Sequence, residues 1–189
     1  MTPRIRPVTT ADAPVLARLH AESWRSAYRG LFSDTFLDHE VHAERLRAWT
    51  ERMTSLAPAD LGFIAEISGR PVGFIFVRAA HDPVWGTLVD NLHVASGLRS
   101  QGLGRQLLAA AMRELLLRGH RQPVWLWVFE QNEAARRVYA RLGGREAERA
   151  VDGSFDGAER AKWRVVWDSP EALREACGVP ASTMETNPS

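Results

Sequence analysis

The sequence is short of several things, and each shortage excludes something. It has one cysteine, Cys177, in 189 residues. A single thiol excludes an internal disulfide framework and a cysteine-rich metal site. It has one lysine, Lys162, against 23 arginines. So strong a bias is compositional, and a local arginine cluster is therefore a poor sign of nucleic acid. The formal net charge is +1, which gives no reason to expect a nucleic-acid or membrane partner. No apolar run is long enough to span a bilayer. The opening stretch, MTPRIRPVTTADA, lacks the apolar centre of a signal peptide. The expected compartment is the cytoplasm. His39-Glu40-Val41-His42 lacks the spacing of a His-Glu-x-x-His zinc helix. It reads as a solvated helix face, and no metal is expected.

What is present is ordinary for one globular domain: 45% hydrophobic and 25% charged residues. Ile5–Val8 reads as a first strand. Thr9-Thr10-Ala11-Asp12 caps a helix with Val15, Leu16 and Leu19 on one face, continuing loosely through Trp24 and Tyr28. Leu31–Leu56 reads as more helix. Phe63–Ile67 and Val72–Val77 form a hairpin about Ser68-Gly69-Arg70-Pro71. His81-Asp82-Pro83 opens a loop. Thr87–Val94 is the next strand, with Leu88, Asp90, Leu92 and Val94 on one face and Val89, Asn91 and His93 on the other. Leu103–Leu117 is an amphipathic helix, Val124–Phe129 a buried strand. Asn132 caps a further helix whose buried stripe is Ala135, Val138, Tyr139 and Leu142. Strands at about 145–150 and 162–167 make a last hairpin around Asp152-Gly153. The chain turns polar after Pro170, and Ala181–Ser189 reads as a disordered tail. This order of elements predicts a mixed sheet with helices on its faces.

The chemistry sits in Leu88–Gly104, LVDNLHVASGLRSQGLG. A strand feeds a glycine-containing loop, and the loop opens a helix. Backbone N–H groups and the helix dipole favour an anion there. Gly102 and Gly104 allow close approach of a ligand, and Arg99 and Arg105 can bind phosphate. A dinucleotide fingerprint would need glycine where Leu107 stands, and nearer the strand. A P-loop needs Gly-Lys-Ser/Thr, which is absent.

Arg99-Ser100-Gln101-Gly102-Leu103-Gly104 closely resembles the Arg/Gln-x-x-Gly-x-Gly/Ala loop of the GNAT N-acetyltransferases. Val124–Gly144, VWLWVFEQNEAARRVYARLGG, is similar to that family's second signature, with Asn132 and Tyr139 on its positions. Ile5–Tyr28 resembles the start of many members. The resemblance covers about residues 4–167. Gly144 departs from it, because most members have an aromatic residue there.

The resemblance implies an α/β GNAT fold: a mixed, mostly antiparallel sheet of about seven strands, helices on both faces, and a CoA cleft between splayed parallel strands. It implies a domain over residues 1–168 and a C-terminal extension over 169–189. It implies transfer of an acetyl group from acetyl-CoA, in a ternary complex, to a primary amine of a small molecule or peptide. Backbone groups of Leu92, His93 and Val94 would hold the pantetheine arm and thioester. Residues 99–105 (Arg99, Ser100, Gln101, Gly102, Leu103, Gly104 and Arg105) would hold the pyrophosphate, and Asn132 and Ala135 the pantetheine. Tyr139 would protonate the departing thiolate. Asp90 is the first choice of general base, ahead of His93, Glu22 and Glu130. Trp24 and Tyr28 lie where the acceptor pocket would form. A homodimer is expected by analogy. The competing expectation is a non-catalytic acyl-CoA sensor on the same fold.

Overall fold

A computed structural model describes residues 3–153 and 159–178. Seven strands form one sheet: β1 (Arg4–Pro7), β2 (Leu61–Ile67), β3 (Arg70–Asp82), β4 (Gly86–Val94), β5 (Val124–Phe129), β6 (Arg145–Gly153) and β7 (Glu159–Trp167). Their order is β1-β2-β3-β4-β5-β7-β6. Every neighbouring pair is antiparallel except β4 and β5. That pair is joined through a crossover helix, α3 (Leu103–Leu117), which a parallel connection requires. The mixed, mostly antiparallel sheet is the one expected.

The alternation of β3 divides the core. Phe74 and Phe76 pack with Leu16, Trp49 and Ile64 on one face, under α1 (Ala13–Ala27) and α2 (Val41–Thr54). Ile75 and Val77 pack with Leu107, Met112 and Leu126 on the other, under α3. Odd and even residues of one strand thus serve two layers. The start of α1 is pinned to β1 and β2 by Arg6, which bonds Asp12 and Glu66 at 2.8 Å each. This pairing holds the Asp12 carboxyl down to about 2.

Four sequence expectations are corrected. The helix expected from Leu31 begins only at residue 34, and its first part is a π-helical turn over Phe36–Glu40 that leads directly into α2, with Phe36, Leu37 and Val41 buried together around it. β3 runs on to Asp82, so His81 and Asp82 are strand rather than loop. The segment after Pro170 is ordered as α5 (Pro170–Ala176), capped by Ser169. Leu173 and Cys177 bury on the α3 layer. Asp152 and Gly153 still belong to β6. The turn beyond them and the expected tail Ala181–Ser189 lie outside the described residues. Among the described residues no helix is long and apolar enough to cross a membrane.

The structure also accounts for Gly144. A Cβ there would lie 2.5 Å from Val165 Cγ1 and 2.7 Å from the Trp167 ring. Trp167 fills this space, with its Nε1 donating to the Leu142 carbonyl at 2.8 Å. Gly144→Ala is therefore expected to destabilise the fold by about 1–3 kcal/mol, the usual range for overpacking. Urea denaturation of the variant beside the wild type measures this, and an unchanged midpoint would refute it.

Candidate active site

The parallel pairing of β4 and β5 stops after Thr87↔Val124 and Leu88↔Trp125. Both strands continue, β4 to Val94 and β5 to Phe129, so they diverge as a fork. A cavity of about 760 Å³ occupies the fork and opens towards both faces of the sheet.

On the α3 face, the cavity is floored by the loop that follows β4. Ser100 and Gly102 adopt positive φ, 65° and 79°, which turns the backbone sharply into α3. No side chain caps this 15-residue helix. Its first N–H groups therefore face the cavity as a polar, partly positive end. Leu98, Arg99, Ser100, Gly102, Leu103, Gly104 and Arg105 line it. Gln101 does not: its side chain folds back onto the Gly97 carbonyl at 3.4 Å. Arg105 reaches across to the Ala176 carbonyl at 3.3 Å, tying the loop to the end of α5.

The opposite wall is α4 (Glu133–Arg141). Its apolar stripe was expected to be core. Instead α4 contains no buried residue, and Val138 is 44% exposed. Ala134, Ala135, Val138, Tyr139 and Leu142 all line the cavity. The stripe packs against the space where a ligand would lie, with only Leu142 buried. Asn132 caps the helix, accepting from the Ala135 N–H at 3.2 Å. Tyr139 packs edge-on against Trp167. Burial, with Tyr28 nearby, raises the Tyr139 pKa and keeps its hydroxyl protonated.

On the α1/α2 face, the strand does not alternate as the sequence suggested. Val77 pairs with Val89 and Phe76 with Asn91, so Asp90 is the extra residue of a β-bulge. The bulge turns Asp90 away from Leu92 and towards α2, where it forms an ion pair with Arg52. Leu92 and Val94 pack on the α3 face. Asp90 therefore shares its side with His93, which corrects the expected facing. Asp90, Leu92, His93, Val94, Trp24 and Tyr28 all border the cavity. Glu22 and Glu130 do not border it. They pair with Arg18 and Arg149 at the surface.

Sequence reasoning named His93 but missed the buried polar residues around it. The His20 and His93 rings lie 4.4 Å apart. Trp49 Nε1 donates to His20 Nδ1 at 3.1 Å, which fixes His20 with its own proton on Nε2 when neutral. His93 Nδ1 lies 2.9 Å from Ser23 Oγ. Burial, then the cations Arg99 and Arg45, push the His93 imidazole down to about 3. Burial, His93 and the two α2 arginines hold His20 well below its ordinary value. Both rings are neutral. Arg45, Ala48, Trp49 and Arg52 of α2 complete this wall. Their spacing of i, i+3, i+4, i+7 was the available signal.

Comparison with known proteins agrees with this geometry. The sequence pattern of the acetyltransferase (GNAT) family matches residues 19–144. The chain belongs to that family. An uncharacterized N-acetyltransferase of Methanocaldococcus jannaschii is 30% identical over 152 residues, 76% of this chain and 61% of the relative. The match thus spans less than two thirds of that relative's length. A GCN5-related N-acetyltransferase from Rhodopseudomonas palustris superposes with a TM-score of 0.70 at 20% identity, covering 89% of this chain and 96% of the other. The PaiA N-acetyltransferase from Thermoplasma acidophilum, solved in complex with coenzyme A, superposes with a TM-score of 0.63 at 20% identity, covering 86% and 98%. These likenesses establish the GNAT fold.

The neutral histidines set an acid limit on this GNAT domain. Their folded pKa values lie below the unfolded value near 6.5. The unfolded chain therefore binds more protons below that pH, and stability is lost as pH falls from about 6.5 towards 3. For His20, 4% exposed, the slope approaches about 1.4 kcal/mol per pH unit. Asp12 adds its loss only below about pH 4. Urea unfolding between pH 7.5 and about 4.5 is expected to be shallower in His20→Gln than in wild type. Parallel curves would contradict the assignment.

Proposed function

We propose that this chain transfers an acetyl group from acetyl-CoA to a primary amine of a small molecule or peptide, by direct attack in a ternary complex. The observation that carries the reading is the fork. One cavity joins an uncapped helix N-terminus on one face of the sheet to an aromatic, polar chamber on the other, with Tyr139 on its wall.

The residues present suit acetyl-CoA. The uncapped end of α3, with Gly102 in the left-handed region, suits a pyrophosphate. The apolar stripe of α4 suits a pantetheine arm. Beyond Leu88, β4 has lost its parallel partner, so backbone groups between Val89 and Val94 are available to the arm and to the thioester oxygen. Aligned N–H donors there would stabilise charge developing on that oxygen. Coenzyme A in the related PaiA structure supports the same reading.

Tyr139 donates its proton towards the departing sulfur. A thiol has a pKa near ~8.5, and the Tyr139 pKa is raised, so its contribution is modest. Asp90, brought to the acceptor side by the bulge, takes the proton that the ammonium must lose before attack. His93, beside it on the same side of the strand, is a poorer acceptor of that proton, because burial and the nearby arginines hold its imidazole down to about 3. Cys177 is buried, with its thiol pushed up to about 11, and does not border the cavity. This favours direct transfer over an acetyl-enzyme. A CoA sensor would have no use for the chamber under α1 and α2.

Tyr139→Phe is expected to lower kcat by about 100-fold, the low end for general acid catalysis, with little change in the dissociation constant of acetyl-CoA. Asp90→Asn is expected to lose a similar factor at neutral pH, and to recover towards wild type as pH rises and the amine deprotonates itself. Steady-state release of CoA thiol across pH reads both. A Tyr139→Phe enzyme at full rate removes the tyrosine's role, and a pH-independent Asp90→Asn defect removes the base.

A further inference from the structure

The acceptor chamber has an unexpected lining. Its walls hold two guanidiniums, Arg45 and Arg52, and one carboxylate, Asp90. Asp90 is already paired with Arg52. Arg45 bonds Glu44 through Nε, but Glu44 is not part of the wall, and the terminal nitrogens of Arg45 remain for another partner. The two histidines are neutral. Each guanidinium is balanced by one carboxylate, but of the two carboxylates only Asp90 borders the chamber, so the lining offers more guanidinium donors than carboxylate acceptors.

Both guanidiniums are held in place. Arg45 stacks over the Trp24 ring at 4.8 Å from its centroid. Arg52 lies over Trp49 at 5.1 Å and Phe76 at 5.3 Å. Stacking occupies the planar faces of an arginine and leaves its donor edge for a carboxylate or phosphate. Burial strengthens any such pair, since the Arg45 side chain is only 16% exposed.

A polyamine or an aminoglycoside brings several ammonium groups. It would meet a single carboxylate that is already engaged, facing two cations. A peptide N-terminus brings no anion near its amine. An amino acid brings both charges, its ammonium for Asp90 and His93 on β4 and its carboxylate for the arginine edge on α2. We infer that the acceptor is a small amino carboxylate, an amino acid or a close analogue, whose carboxylate is bound by Arg45 alongside Arg52. The inference rests on the transferase reading and narrows its acceptor class.

The test is acetyl-CoA-dependent acetylation of common L-amino acids, their carboxamides, O-phosphoethanolamine, spermidine, kanamycin and a short peptide, by wild type, Arg45→Gln and Arg45→Lys. At least one amino acid is expected to react with a kcat/KM about 30-fold or more above that of its amide, the scale of a lost charged hydrogen bond. In Arg45→Gln that ratio is expected to fall to within about threefold, with Arg45→Lys between. Acetyl-CoA affinity and far-ultraviolet circular dichroism of both variants should match wild type, which separates loss of recognition from loss of fold. Equal turnover of acid and amide, preference for spermidine, kanamycin or the peptide, or reaction of O-phosphoethanolamine alone would each overturn the carboxylate assignment. So would acetyl-CoA binding with no amino acid either reacting or raising the melting temperature of the CoA complex. Failure of acetyl-CoA to bind is a different result: it removes the transferase reading itself, and this inference with it.

Discussion

The rest of the structure depends on a parallel ladder that stops early. Only two residue pairs join β4 to β5. The residue after the last pair, Val89, begins the bulge that takes Asp90 out of register with β3. Bulges bend and twist a strand, and here the bend coincides with the point where the two strands part. The elements that line the cavity are arranged around that parting: the glycine loop below it, α4 across it, α1 and α2 above it. A sheet that zipped closed from Thr87 to Val94 would pair the backbone groups that the cleft leaves facing inwards, and would close the passage between its two faces.

Arginine does several jobs in this chain that lysine would do less well. Arg6 anchors the start of α1 by bonding Asp12 and Glu66 together. Arg164 is 9% exposed and lies against Trp85, Trp125 and Trp127 at 4.1–4.5 Å, bonded to Glu148. Arg45 and Arg52 stack on rings beside the cavity. A flat, permanently charged group can be sandwiched between aromatic residues and still present an edge. The compositional bias, read in the sequence as noise, is in part the means by which charges are fixed next to aromatic surfaces.

The glycine loop was legible because its constraint is local: a strand, left-handed backbone positions and an uncapped helix follow one another in sequence. The sheet was legible from alternation for the same reason. What was hidden depends on partners. The stripe of Ala135, Val138 and Tyr139 has the spacing of a core helix, and spacing does not say whether protein or ligand covers it. Period-two reading of β4 fails at Asp90, since one inserted residue reverses every facing beyond it. His20, Ser23 and Arg45 are unremarkable on their own helices and acquire meaning only where α1 and α2 converge on β4. The order of Pro170–Ala176 was hidden too, because a short helix carried by Leu173 and Cys177 has too little pattern to stand out from polar flanks.

The fork also separates two kinds of change that mutation can make. The loop, α3 and α4 lie towards one face of the sheet, and α1 and α2 towards the other, with β4 as their common wall. Substitutions on the exposed turns of α1 or along α2 alter the chamber without passing through the glycine loop or the packing of α3. On the proposed reading, a lineage carrying this architecture can exchange one acceptor for another by small steps, each intermediate keeping a folded core and an intact donor cleft. The same partition makes β4 the costly place to vary, because a single insertion or deletion there rotates residues on both sides at once.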